Sequence, residues 1–155
     1  MSSPPSFQKT VSATTRLTRS QMWTALYNKI RHPEKYVGSR DVKITGETAD
    51  CVDREQTVGP PDHPMVIKER ITWDEAKGVV VFTEHNNEEK TGSAENRIED
   101  DNGVVKVTFV FDWQWTDKAD RKAVEAQIKE FEQAGDKPVK DTIKAAEEES
   151  AVDKQ

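Results

Sequence analysis

The stretch 104–115, "VVKVTFVFDWQW", places Val105, Val107, Phe109, Phe111, Trp113 and Trp115 at every second position. Side chains along a β-strand alternate between two faces, so these six residues form one continuous apolar face. The other face reads Lys106, Thr108, Val110, Asp112 and Gln114. A strand with one face this apolar and aromatic must pair into a sheet, and the sheet must be covered on that side by a second layer.

Other stretches supply the partners. Residues 7–17, "FQKTVSATTRL", alternate with Phe7, Lys9, Val11, Ala13 and Thr15 on one side and predict a first strand. Five further runs follow after residue 39: "RDVKIT", "CVDREQTV", "MVIKERITW", "VVVFTEH" and "SAENRIE". They are separated by turn signals at Gly46 and Asp50, "GPPDHP", "DEAKG", "NNEEKTG" and "DDNG". The Asn-Gly pair in the last of these marks a tight hairpin into 104–115. Hairpin-length connections make the sheet antiparallel.

Helices are expected at two places. In "LTRSQMWTALYNKIRHPEKYVG", Thr18 and Gln21 fit a capping box. Met22, Trp23, Leu26, Tyr27 and Ile30 recur at three- and four-residue steps, which predicts an amphipathic helix. Pro33 ends it or opens a second short turn, "PEKYV", closed by Gly38. Towards the end, Val124, Ile128, Phe131, Gly135, Val139, Ile143 and Ala146 keep a helical step. "GDKP" at 135–138 interrupts it, and Pro138 lacks a backbone donor, so a kink or break is expected there.

At 155 residues the chain is expected to form one domain over 1–155. The apolar fraction of 34% is below the usual ~45–50%. Part of the deficit lies in the Pro/Ser-rich start and the acidic end, so 1–6 and 148–155 are expected to fray. A net charge of −6 without a basic cluster argues against nucleic-acid binding. No apolar run is long enough to span a membrane and no signal pattern opens the chain. Cys51 is alone, which excludes an internal disulfide and suits a reducing, cytoplasmic setting. Neither zinc spacing nor a nucleotide-binding glycine motif is present, so no metal and no cofactor are expected. His32, His63 and His85 have no nucleophile partner in view.

One strand breaks the pattern. In "VIKERITW", Ile67, Glu69, Ile71 and Trp73 share the apolar face. A buried carboxylate costs several kcal/mol unless it is paired, wet or protonated.

The order strand, helix pair, six strands, long helix resembles the helix-grip fold of the START/SRPBCC superfamily, and more narrowly its AtaL-like subgroup. The matching stretches are "LTRSQMWTALYNKIRHPEKYV", "DREQTVGP", "VIKERITW", "GSAENRIED" and "VKVTFVFDW", roughly residues 8–115. The resemblance implies an α+β fold, a curved antiparallel sheet of about seven strands around a long C-terminal helix. It also implies a deep pocket between sheet and helix for hydrophobic or amphipathic small molecules. Superfamily members include polyketide cyclases and aromatases as well as carriers and sensors, and the subgroup often accompanies secondary-metabolite pathways. It supplies no settled catalytic residues.

Within such a pocket the strand alternation answers the question that Glu69 raises. Val52, Arg54, Gln56 and Val58 share a face on the neighbouring strand, so Arg54 and Glu69 point into the same hollow. Two readings of the pair stand open. Glu69 is a general acid/base with Arg54 steadying an oxyanion or carboxylate, or the two are an ion pair that fixes strand register. Candidate ligand contacts are Asn96, Gln56, Phe109, Phe111 and Trp113, with Trp73 and Tyr36 of the same aromatic kind and Arg40 at the mouth. Asn96 equally suits satisfaction of a backbone group, Arg40 a plain surface charge, and the aromatics plain core.

The expected function is that of a cofactor-independent cyclase, isomerase or dehydratase acting on a polyketide or related metabolite. A non-catalytic carrier or sensor of hydrophobic metabolites or lipids is the alternative. An interaction module, the third reading, requires a large exposed apolar patch. A hydrophobic small molecule is the expected partner, to a monomer or homodimer.

Overall fold

The computed structural model describes residues 4–59, 61, 62 and 64–153. His63 therefore lies outside the described residues, as do the first three and last two positions expected to fray. Seven strands form a single antiparallel sheet: β1 (Ser6–Thr15), β2 (Arg40–Glu47), β3 (Cys51–Val58), β4 (Met65–Asp74), β5 (Val79–Glu84), β6 (Lys90–Asp101) and β7 (Val104–Trp115). Their order across the sheet is β1-β7-β6-β5-β4-β3-β2. Only β1 is out of sequence order: it pairs antiparallel with β7, the last strand in the chain.

The apolar face of 104–115 turns inward, while Thr108 of the opposite face is buried as well. Val105, Val107, Phe109, Trp113 and Trp115 are buried, and Phe111 is half-buried. Between β6 and β7, Asn102 and Gly103 have φ of 53° and 87°, the left-handed pair that a tight hairpin needs. Gly92 in β6 has φ of 103°, and a Cβ there would lie 2.1 Å from the carbonyl oxygen of Asp112. The backbones of β6 and β7 approach so closely at this bend that only glycine fits.

α1 (Arg19–Arg31) carries its capping box: Thr18 Oγ1 accepts from the Gln21 amide at 3.1 Å, and Gln21 Oε1 accepts from the Thr18 amide at 3.0 Å. Such a cap contributes about 1 kcal/mol. Met22, Ala25, Leu26 and Ile30 of α1 are buried against the concave side of the sheet. The expected second helix of the pair is a single 3-10 turn, Pro33–Lys35.

The C-terminal helix is two helices, α2 (Arg121–Ala134) and α3 (Lys137–Asp153). The break lies at Gly135, with φ 60° and ψ −126°, rather than at Pro138. Pro138 sits in the first turn of α3, where its missing N–H would have had no helical partner anyway. Asp120 caps α2 by accepting from the amides of Lys122 and Ala123.

α3 runs through 148–153, where Gln21 Nε2 donates to Ser150 Oγ at 2.9 Å and Tyr36 donates to Glu149. In β2, register shifts between Arg40 and Lys43 and between Ile44 and Gly46 leave Ile44 40% exposed. Among the described residues, no helix is long and apolar enough to cross a membrane.

Candidate functional site

A half-open cavity of about 440 Å³ lies between the curved sheet and the α2–α3 pair. Its floor is the concave face of β3 to β7, with Arg54, Gln56, Ile67, Glu69, Phe82, Ala94, Asn96, Phe109, Phe111 and Trp113. Its roof is Gln127, Phe131 and Ala134 of α2 with Lys137, Pro138 and Asp141 of α3. Phe131 closes the aromatic wall, its ring 5.0 Å from that of Trp113 and 6.0 Å from that of Phe111. The helix break at Gly135 thus lies over the cavity, between two lining segments.

Polar groups gather at one end. The β3–β4 register sets Arg54 directly opposite Glu69, as the alternation of the two strands requires. Arg54 Nη2 donates to Glu69 Oε1 at 2.8 Å, and Gln56 Nε2 donates to the same oxygen at 2.9 Å. Both members of the ion pair are buried, Arg54 at 2% and Glu69 at 9% exposure. Glu69 Oε2 has no hydrogen bond from the described residues. The ion pair therefore fixes the carboxylate while leaving one oxygen for a ligand.

Arg54 is itself anchored. Its Nη1 donates to the carbonyl oxygens of Lys29 at 3.0 Å and Ile30 at 2.7 Å, two of the last carbonyls of α1, which have no helical partner. A cation there also suits the negative end of the helix dipole. Among the described residues, the buried Nε–H and the second Nη2 hydrogen have no partner. Three of the five guanidinium donors thus tie Arg54 to Glu69 and to the end of α1.

The strands and α1 bring a further charge to this end that the sequence reading missed. Lys29 lines the cavity at 6% exposure, its Nζ donating to Asn96 Oδ1 at 2.9 Å and lying 4.2 Å from the Phe109 ring centroid. Burial, aided by the positive charge of Arg54 and opposed by Glu69, brings the Lys29 amine down to about 7. The signal was present: Lys29 is three residues after Leu26 and seven after Met22, on the apolar stripe of α1. Asn96 is thus engaged by an amine, not by a backbone group.

A second buried pair was also missed. Glu84 faces Glu69 across β4 and β5, and Lys90 Nζ lies 3.1 Å from Glu84 Oε1 and 3.7 Å from the Trp113 ring centroid. Burial pushes the Glu84 carboxyl up, with Lys90 opposing and Glu69 adding to the effect, and burial pulls the Lys90 amine down against Glu84. Lys90 belongs to "NNEEKTG", read above as a turn. The alternation Asn96, Ala94 continues back through Gly92 to Lys90 and puts it on the inner face.

Of the other candidates, Gln56, Asn96, Phe109, Phe111 and Trp113 line the cavity. Three do not. Trp73 packs edge-on against Tyr27 of α1 at 5.5 Å, because β4 has left the cavity by that point. Tyr36 donates to both carboxylate oxygens of Glu149, at 2.8 and 2.7 Å, and ties the 3-10 turn to α3. Burial with that carboxylate pushes its hydroxyl up. Arg40 Nη1 donates to the carbonyl of Gly59 at 2.7 Å, so it pins the rim while Val58 and Gly59 form it. Gln127, at 4% exposure, is a roof residue with both amide atoms unpartnered among the described residues; three residues after Val124 and four before Phe131, it lies on the apolar stripe of α2.

Solved structures share this architecture. The chain matches the Zhui aromatase/cyclase from Streptomyces sp. R1128 at 14% identity, with a TM-score of 0.74 and coverage of 92% of this chain and 94% of that one. TTHA0849 from Thermus thermophilus matches at 6% identity, with a TM-score of 0.75 and coverage of 92% and 99%. The di-domain ARO/CYC StfQ of the steffimycin biosynthetic pathway matches at 8% identity and a TM-score of 0.71, with 94% of this chain covering 52% of that one. At these identities the likeness shows the fold, which is the helix grip. No curated protein matches the sequence. The family model of acetylaranotin biosynthesis cluster protein L matches residues 8–150.

Proposed function

The chain belongs to the AtaL family, and from that premise we propose that it is a small-molecule enzyme of secondary metabolism. It takes a hydrophobic or amphipathic compound into the cavity and cyclises, isomerises or dehydrates it by proton transfer from its own side chains. One observation carries this reading: Glu69 is held at one oxygen by Arg54 and Gln56 and has no hydrogen bond at the other among the described residues, inside a cavity walled by Phe109, Phe111, Trp113 and Phe131.

Each part of the site has a task in that reading. The aromatic walls hold a flat or unsaturated ligand and exclude water. Glu69 takes a proton from a carbon acid or returns one to a leaving hydroxyl, and its fixed orientation lowers the entropy cost of that step. Arg54 and Gln56 are positioning residues for Glu69. Two structural neighbours, the Zhui aromatase/cyclase and the ARO/CYC StfQ, support a cyclase-like role.

The alternative is a carrier of hydrophobic metabolites. It is favoured by the commitment of Arg54 to the end of α1, which makes the ion pair part of the scaffold. Native mass spectrometry of wild type and Glu69→Gln, each incubated with a metabolite extract of the source cell, separates the two. Conversion by wild type of a compound that Glu69→Gln only retains supports the enzyme. Retention of the same unchanged compound by both supports the carrier and ends the catalytic reading.

A further inference from the structure

The amine of Lys29 has an unusual position for a lysine. It is buried in the wall of the cavity, and its hydrogen-bond partner is the neutral carbonyl oxygen of Asn96, not a carboxylate. The charged groups facing it are Arg54 of β3 and Glu69 of β4, whose charges act on it in opposite senses. Glu130 of α2 with Lys137 and Asp141 of α3 are the charged groups that the roof contributes to the lining. Apolar surface, Phe109 and Phe82, covers the rest of its approach.

We propose that Lys29 is a carbonyl-capturing residue: it binds ligands that carry an unhindered ketone or aldehyde by forming an imine with them. This rests on the reading that the cavity holds a small molecule. In the step, the Nζ lone pair forms a bond to the carbonyl carbon and the C=O π pair moves to oxygen. The resulting hydroxyl then leaves as water with the two protons that nitrogen had carried, giving C=N. No oxidant or reductant is needed. An amine brought down to about 7 by burial is nucleophilic near neutral pH, where exposed lysines are protonated and inert. Asn96 aims the amine, and its neutral oxygen leaves the amine free to lose its proton. Once its nitrogen takes up a proton, the resulting iminium is an electron sink, which eases removal of a neighbouring C–H proton by a base such as Glu69.

The test uses the full chain, 2-naphthaldehyde as probe and cyanoborohydride to reduce any imine to a stable amine, followed by peptide mapping. At about pH 7 the expected result is a single adduct on Lys29, absent in Lys29→Met. Asn96→Asp, which gives the amine a carboxylate partner, is expected to slow labelling about tenfold or more near pH 7 and to recover at about pH 9. That recovery distinguishes a titrating amine from a variant that has merely lost its structure, and circular dichroism checks folding of both variants. Labelling spread over surface lysines equally in wild type and Lys29→Met overturns the proposal. Calorimetric titration with 2-naphthalenemethanol, which has no carbonyl, separates the two levels of failure. If it binds while Lys29 stays unlabelled, imine capture falls and the cavity reading stands. If it does not bind and Lys29 stays unlabelled, both fall.

Discussion

Arg54 joins three parts of the molecule: its guanidinium holds Glu69 of β4 and the two final-turn carbonyls of α1. Arg54→Met strands a buried carboxylate and two helix carbonyls, and is expected to cost roughly 3–5 kcal/mol. Glu69→Gln keeps an oxygen facing Arg54 and is expected to cost only about 1–2 kcal/mol. Urea unfolding of both variants and of the double variant measures the coupling, and near-equal losses would contradict this division. Lys29 gives a pH signature. The unfolded chain keeps this proton up to about 10.5, the folded chain only up to about 7. Between those values the unfolded state binds more protons, so stability rises with pH through the window and is flat below it. Relative to Lys29→Met, wild type is expected to gain about 2 kcal/mol between pH 7 and 9. Parallel stability curves would show that the amine is not desolvated. The Arg54–Glu69 pair was legible because two-residue alternation assigns faces without knowledge of the fold. Lys29 was not read because a lysine on a helix stripe can send its head to water, and only the enclosing sheet prevents it.

At the scale of elements, two glycines set the shape of the cavity in different ways. Gly135 breaks the roof in a backbone region closed to other residues, with open space where a Cβ would go. Gly135→Ala is therefore expected to cost only the backbone strain, about 1–3 kcal/mol. Gly92→Ala adds a collision with the Asp112 carbonyl and is expected to cost more, because β6 and β7 must separate. Denaturant midpoints of the two variants test the ranking, and the reverse order would contradict it. Most strands were legible from their alternation, and the bounds 51–58 and 104–115 emerge unchanged. Bulges in β2 are set by its pairing with β3 rather than by its own sequence. The misreadings have local causes. The start of β6 was hidden because Lys90 and Gly92 resemble turn residues. The break near 135–138 was foreseen, but attributed to the proline instead of the glycine that makes it.

For the whole molecule, the sheet and the α2–α3 roof leave a space lined by aromatics and one group of buried charges. Filling that space should stop binding without undoing the fold. Ala134 lines the roof beside the break and is half-buried, so Ala134→Trp is expected to abolish retention of a cavity ligand and change stability by less than about 1 kcal/mol. Native mass spectrometry and urea unfolding check both halves, and undiminished retention would place the ligand elsewhere. The helix-grip architecture was legible because element order, hairpin signals and the 104–115 face agree. The occupant was not, since an apolar wall accepts many ligands and its few polar atoms fix orientation rather than identity. The most direct test is a crystal structure of Glu69→Gln with the compound it retains. The compound is predicted to lie in the cavity against the wall of Phe109, Phe111 and Trp113, with a polar atom within about 3 Å of the residue 69 side chain. A compound bound outside the cavity, or inside it with no polar atom near that side chain, would contradict the account.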